Sequence, residues 1–221
     1  MLFHIHIDAE TVGREFATFA TETLGFSRFS FEANPAGVPK FAPQIPFTLK
    51  VGSEQEFNAA FDQLESHQRP VAQMKGYIEG EQVIYHKLDR QNATAPFSSE
   101  VPIPFQVTRR RLEPGTFRES ELHVTLPIAS RDERLREKLL QMGFFLAICQ
   151  EAQRAPREIY TLQGSQQQID QLRPGVIDYL ESVGGVGNAV LKEERVARWW
   201  MSELGFPFPP VVDRIDMRTA T

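Results

Sequence analysis

Short segments in which apolar and polar residues alternate recur along the chain and predict β-strands. LFHIHID at 2–8, FTLKV at 47–51 and ELHVTLP at 121–127 all follow this pattern. Between such segments, apolar residues recur at helical spacing, as with Phe57, Ala60, Phe61 and Leu64. The first part of the chain therefore predicts the element order β-α-β-β-α-β.

Three S-x-x-E or S-x-x-Q motifs predict helix N-termini, because the side chains at the two ends of such a motif satisfy exposed backbone N–H groups. The motifs pair Ser53 with Glu56, Ser130 with Glu133, and Ser165 with Gln168. Pro174 follows the last motif and lacks a backbone N–H, so we expect the helix there to be interrupted or restarted.

The second half of the chain repeats the element order of the first. TLGFSRFSF corresponds to QMGFFLAIC, and PFTLKVGSEQEF corresponds to EIYTLQGSQQQI. The pattern predicts an α+β fold built by tandem duplication of ferredoxin-like βαββαβ units. The expected boundaries are a first unit at 1–90, a Pro- and Ser-rich linker with a basic run at 91–119, a second unit at 120–195, and a C-terminal helix and tail at 196–221.

Histidines occupy corresponding positions on the first strand of each unit. Because side chains alternate along a strand, Phe3, Ile5 and Ile7 should face the helices while His4 and His6 face the other way. The same alternation in the second unit turns His123 and Thr125 outward, aligned with His4 and His6. In ferredoxin-like topology the first and last strands are neighbours, which predicts two further sets beside these histidines: Tyr77, Glu79 and Glu81 in the first unit, and Lys192 and Glu194 in the second.

If these two polar faces meet in a cleft, their residues form a composite site. One histidine can take a proton from a nucleophile while the other donates one to a leaving oxygen. The residues predicted to be catalytic are His4, His123 and Thr125, and those predicted to bind an anionic ligand are His6, Lys50, Tyr77, Glu79 and Lys192.

The segment HVTL at 123–126 resembles the H-Φ-T-Φ motif of the two-histidine phosphoesterases. In that family two lobes each contribute one motif to a central cleft, with the histidines as acid and base and the threonines as phosphate ligands. The resemblance implies phosphodiesterase-like activity with His123 and Thr125 in those roles. The first copy, HIHI, departs from the motif because His6 stands where threonine is expected.

Two alternatives remain open from the sequence. A divalent-metal-dependent enzyme can use His4 and His6 with Glu79 or Glu81, since histidines two residues apart on a strand share a face. Histidine on the first strand, glutamate on the last and the segment ETLGF also resemble the vicinal oxygen chelate family, but the second predicted helix departs from its βαβββ unit. The other alternative is a noncatalytic ligand-binding or protein-interaction module. The leading hypothesis assigns no metal ligand and no cofactor.

Composition narrows the expected partners. The chain has 221 residues, 41% of them hydrophobic, with a formal net charge of −5, so general nucleic-acid binding is not expected. It has no apolar run of membrane-spanning length and no secretory signal pattern, which predicts a cytoplasmic protein without a membrane partner. The expected partners are an anionic small molecule or another protein. Cys149, the single cysteine, lies in the apolar segment GFFLAICQ and is predicted to be a buried structural thiol.

Overall fold

The computed structural model describes ten stretches of the chain. These residues are 2–7, 14–31, 47–66, 76–86, 105–107, 110–112, 119–130, 132–151, 154–183 and 189–200. The strands are β1 Leu2–Ile7, β2 Ser27–Phe31, β3 Phe47–Val51, β4 Gly76–His86, β5 Phe105–Val107, β6 Arg110–Leu112, β7 Glu119–Pro127, β8 Phe145–Gln150, β9 Arg157–Gly164 and β10 Val190–Trp200. The helices are α1 Arg14–Thr18, which continues as a π-helix at Phe19–Thr23, α2 Glu54–Ser66, α3 Glu133–Gln141 and α4 Gln166–Ser182, with a 3₁₀ turn at Ile128–Ser130.

Eight strands form one closed antiparallel barrel in the order β1-β3-β2-β8-β9-β7-β10-β4. Each half of the chain contributes four neighbouring strands, and the halves join where β2 pairs with β8 and β4 pairs with β10. β5 and β6 form a separate two-stranded sheet. No described helix is long and apolar enough to cross a membrane.

The predicted fold class, two tandem ferredoxin-like α+β units, is wrong because the strands belong to a single closed barrel. Alternation identifies the strands and their faces, but an open sheet and a barrel produce the same alternation. A barrel is distinguished from open sheets by the pairing of strands that would otherwise be sheet edges. β4 and β10, each 11 residues long, are in register from Leu191 opposite His86 to Trp200 opposite Tyr77.

Apolar residues on the outer face of the barrel form two cores beneath the helices. One core packs Phe3, Ile5 and Ile7 against α1 and α2, and the other packs Leu122, Val124 and Leu126 against α3 and α4. The predicted facing of β1 and β7 is therefore confirmed. Because the apolar side of each strand is covered from outside, the polar side is turned into the barrel.

One of the predicted helix starts is confirmed in full and another is wrong. Helix α4 has the complete capping box predicted for Ser165 and Gln168. Ser130 does not cap α3; the cap is Asp132, whose carboxylate accepts hydrogen bonds from the backbone N–H groups of Arg134 and Leu135. Aspartate is as good an N-cap as serine, so Ser130 and Asp132 were both candidates. The S-x-x-E motif indicated the wrong one of the two.

Two predictions about the second half of the chain are corrected. Helix α4 is continuous through Pro174, because Ile169, Val176 and Leu180 on both sides of the proline are buried in the core and hold the helix together. The C-terminal helix expected from 196 onwards is also wrong over its first residues, since β10 continues to Trp200. Residues 201–221 lie outside the described residues.

Candidate metal centre in the barrel cavity

The polar faces of the strands enclose a cavity of about 350 Å³ inside the barrel. A cavity of this size accommodates a small molecule. Its position corrects the expectation of a cleft between separate lobes, because strands from both halves form one continuous wall. The side chains that line it include all three histidines on the inner face, His4, His6 and His123.

The cavity wall in the first half brings together His4, His6 and Glu79, each offering one ligand atom, with these atoms all within 4.8 Å of one another. The strands explain the proximity: His4 lies opposite Glu79 where β1 pairs with β4, and His6 lies two residues along on the same face. The Glu79 carboxylate lies 3.2 Å from Nε2 of His6 and 3.9 Å from Nδ1 of His4. We call this set the first cluster.

Neighbouring side chains fix the rings of the first cluster. Nδ1 of His6 shares a hydrogen bond of 2.9 Å with the Thr48 hydroxyl, and Nδ1 of His4 lies 2.8 Å from the Glu81 carboxylate. Nε2 of His4 is buried and has no hydrogen-bond partner among the described residues. Outer partners of this kind orient histidines that bind metals.

The electrostatic surroundings keep His4 neutral. Burial of the imidazole, reinforced by the nearby Lys50 ammonium, lowers the pKa of His4 from 6.5 to about 3. A neutral imidazole is the form that coordinates a metal ion. His4 is therefore in the correct protonation state for a ligand at neutral pH.

The second half of the chain places Glu121, His123 and Glu194 together in the same cavity, and we call them the second cluster. Nε2 of His123 lies 3.1 Å from Glu121 and 3.0 Å from Glu194, while its Nδ1 shares a 2.9 Å hydrogen bond with Thr161. Burial alone would lower the pKa of His123, but the two carboxylates outweigh it and raise the pKa to about 9. The imidazolium itself thus supplies the positive charge of this cluster.

One exchange of residues explains why the clusters differ. In the pairing of β1 with β4, Glu79 lies opposite His4, whereas in the pairing of β7 with β10, Lys192 lies opposite His123. The Lys192 ammonium forms an ion pair with Glu194, and together with His123 it holds the pKa of that carboxyl well below its usual range despite burial. The second half therefore has the Lys192 ammonium at the position where the first half has the Glu79 carboxylate.

Most of the predicted site residues line the cavity. His4, His6, Lys50, Glu79, His123, Thr125 and Lys192 all do so, which places the predicted acid–base and ligand-binding residues around one space. The backbone of Tyr77 pairs with His6 as expected, but its side chain lies outside the described residues. On β2, Phe29 faces the cavity, while its neighbours Arg28 and Ser30 are exposed.

Part of the cavity wall lies outside the predicted site. Strand alternation places Glu121 on the same face as His123, but it was given no role in the predicted site. Phe29 on β2 and Phe145 on β8 were not assigned to the site either, because an aromatic residue on a strand is typical of a core. Cys149 is buried as predicted and also lines the cavity, where burial and the Glu151 carboxylate raise the pKa of its thiol.

In comparisons with known proteins, no family model, curated protein or solved structure matches the chain.

Proposed function

We propose that the barrel binds one divalent transition-metal ion through the first cluster and acts as a metal-dependent enzyme on a ligand in the cavity. The observation that supports this proposal is the set of two imidazoles and one carboxylate, of which His4 and Glu79 are buried and His6 is partly buried, with ligand atoms within 4.8 Å of one another. Two nitrogen ligands and one oxygen ligand suit Zn²⁺ or Fe²⁺. Three protein ligands leave coordination positions for water or for a substrate, as catalytic metal sites require.

The charges of the cavity wall also favour a cation as its first ligand. The wall contains five glutamates and three residues with cationic side chains, namely Glu79, Glu81, Glu121, Glu151 and Glu194 against Lys50, Arg157 and Lys192. With His123 counted as an imidazolium and the other two histidines as neutral, the formal sum is 4 − 5 = −1. Buried carboxylates are costly without a cationic partner, so a divalent ion stabilises this wall.

The proposal is tested by titrating protein freed of metal by EDTA and dialysis with ZnCl₂ in a calorimeter. We expect one equivalent to bind. His6→Gln and Glu79→Gln should each weaken binding by about 100-fold or more, because each removes a direct ligand, whereas loss of an outer partner costs about 10- to 100-fold. The same titration with FeCl₂ under anaerobic conditions compares the two metals.

His86→Gln is the matched control. Nε2 of His86 lies 3.0 Å from the buried Glu193, as in a ligand pair, but Glu193 is hydrogen-bonded to helix α4 on the outer side of the barrel. This variant should bind Zn²⁺ as the unmodified protein does, and thermal unfolding establishes that all variants are folded. Equal affinities of the unmodified protein and both ligand variants would contradict the proposal.

A second candidate is the metal-independent phosphodiesterase implied by the resemblance of HVTL to two-histidine phosphoesterases. It is favoured by one observation, that His4, His123 and Thr125 line the same cavity. In that mechanism His4, with its low pKa, serves as the base and His123, with its high pKa, as the acid. Hydrolysis of bis(p-nitrophenyl) phosphate that persists in EDTA and is lost in His123→Gln would favour this candidate over the metal-dependent one.

A further inference from the structure

Two lysines flank the first cluster inside the barrel. In strand order, β3 and β10 lie on either side of β1 and β4, and they carry Lys50 and Lys192 respectively. Lys50 lies opposite His4 in the pairing of β1 with β3, so its ammonium projects next to the proposed metal ligands. The cluster is thus bordered by positive charge on both sides.

Lys50 differs from the other cationic residues of the wall in having no ion-pair partner among the described residues. Lys192 is paired with Glu194, and Arg157 is paired with Glu151 at 2.5 Å. The side chain of Lys50 instead lines the cavity with part of its surface exposed, and the nearby Lys192 ammonium lowers the pKa of its amine. An anion between the two lysines would satisfy Lys50 and relieve this repulsion.

The opposite arc of the barrel carries an apolar patch, mainly on β2 and β8. In the closed order, β8 and β9 lie across from β4 and β1, and β2 adjoins β8. Their inner faces contribute the apolar side chains Phe29, Phe145, Ala147 and Ile159 to the cavity wall, beside the polar Arg157, Thr161 and Gln163 of β9. A ligand that reaches from the lysines across the cavity meets a hydrocarbon surface at its other end.

Resting on the proposed metal site, we propose that the ligand of the cavity is a small organic oxyanion, a phosphate monoester or a carboxylate with an apolar body. Its oxyanion lies between Lys50 and Lys192 beside the metal ion, and its apolar body packs against the apolar patch around Phe29, Phe145 and Ala147. The two lysines match the charged end of such a ligand, and the apolar side chains across the cavity match its hydrocarbon end. The volume of about 350 Å³ restricts the body to roughly the size of one or two rings.

The test titrates zinc-loaded protein, freed of excess metal, with phenyl phosphate and with benzoate in a calorimeter. At least one of them should bind, and the stronger of the two identifies the oxyanion. Inorganic phosphate, which has no apolar body, and phenol, which has no charge, should each bind about 10-fold or more weakly than phenyl phosphate if that is the stronger probe. For benzoate, the corresponding comparators are formate and benzyl alcohol.

Lys50→Gln should weaken binding of the stronger probe by about 10-fold or more, because it removes the unpaired charge. Lys50→Arg should retain most of the affinity, which separates charge from packing. Lys138→Gln makes the same charge change on the exposed surface of α3 and should leave affinity within about twofold. Zinc titrations of the same variants show whether each is folded and loaded.

The outcomes separate this inference from the proposed function. Zinc binding without binding of either probe, or equal binding by the Lys50→Gln variant, overturns the ligand class while the metal site stands. Equal binding of inorganic phosphate and phenyl phosphate overturns the organic body. Probe binding that depends on Lys50 but is identical in EDTA-treated protein supports the oxyanion site and contradicts the metal-dependent function.

Discussion

His4 and His123 occupy corresponding positions on β1 and β7, yet their surroundings give them opposite charges. Lys50 is the cross-strand neighbour of His4, whereas Thr161 is that of His123. Burial disfavours the charged imidazole in both places, and only His123 has carboxylates that overcome it. Similar backbones therefore hold one neutral histidine suited to a metal and one charged histidine suited to donating a proton.

We predict that His123 remains protonated at pH 8 and loses its proton near pH 9. A ¹⁵N-edited NMR titration of the histidine rings measures this directly. Glu121→Gln should lower the pKa of His123, because it removes one of the two carboxylates that oppose burial. A His123 that titrates near 6.5 in the unmodified protein would contradict the ion-pair arrangement.

The same shift predicts a loss of stability in alkali. Since the pKa of His123 is raised from 6.5 to about 9, its stabilising contribution is complete below pH 6.5 and disappears as pH rises through 9. The contribution is on the order of 1 to 3 kcal/mol. Urea unfolding at pH 6 and pH 9.5 should show this loss in the unmodified protein, and a smaller loss in the His123→Gln variant.

The next scale is the element, and the helix-to-barrel contact of α4 rests on a buried carboxylate. Glu193 on β10 accepts hydrogen bonds from Gln166 and Arg173 of α4, and it contacts His86 of β4. Burial alone would raise the pKa of Glu193, but these donors outweigh it and lower the pKa to about 2. This polar contact ties the helix to the seam between the two halves.

Glu193→Gln should lower the free energy of unfolding by about 2 kcal/mol at pH 7, because charged hydrogen bonds to three partners are weakened. The pKa of Glu193 is lowered from 4.5, so its contribution is present above pH 4.5 and is lost as pH falls through about 2. Urea unfolding at pH 7 and at pH 2.5 should show a large difference between the proteins at the first pH and a small one at the second. Glu181→Gln, at an exposed position of the same helix, should have little effect at either pH.

At the scale of elements, the sequence specified strand faces better than strand ends. Alternation placed Phe3, Ile5 and Ile7 under the helices and His4 and His6 on the other face, because the period of two is a property of each strand by itself. The end of β10 was mistaken for a helix, since RVARWW lacks strict alternation: Val196 and Ala197, on opposite faces of the strand, are both buried. Trp199, for example, packs against Phe3 and directly over Gly80.

For the whole molecule, the decisive fact is closure, which no local pattern encodes. On an open sheet, His4 and Glu79 would face solvent as an ordinary charged pair. In the barrel they are about 5% and 3% exposed, and they share a cavity with residues that are far away in the sequence. The sequence therefore identified most residues of the site, but the burial that gives them perturbed pKa values depends on edge pairing of β2 with β8 and β4 with β10.

Because both halves line one cavity, position 192 tests why only the first cluster is proposed to bind a metal ion. Because Lys192 faces His123 as Glu79 faces His4, we expect Lys192→Glu to convert the second cluster into a second metal site. The change removes the competing ammonium and adds a carboxylate beside His123. Zinc stoichiometry, measured by calorimetry and by elemental analysis after gel filtration, should rise from one to two ions per chain.

The additional negative charge should also make the metal-free Lys192→Glu variant less stable than the unmodified protein, with zinc raising its melting temperature by the larger amount. Lys138→Glu on exposed α3 carries the same change in charge and should keep a stoichiometry of one. Lys192→Gln removes the ammonium without adding a ligand, so it separates the two effects. A stoichiometry of one in a folded, zinc-stabilised Lys192→Glu protein would mean that this exchange does not determine which half of the barrel binds metal.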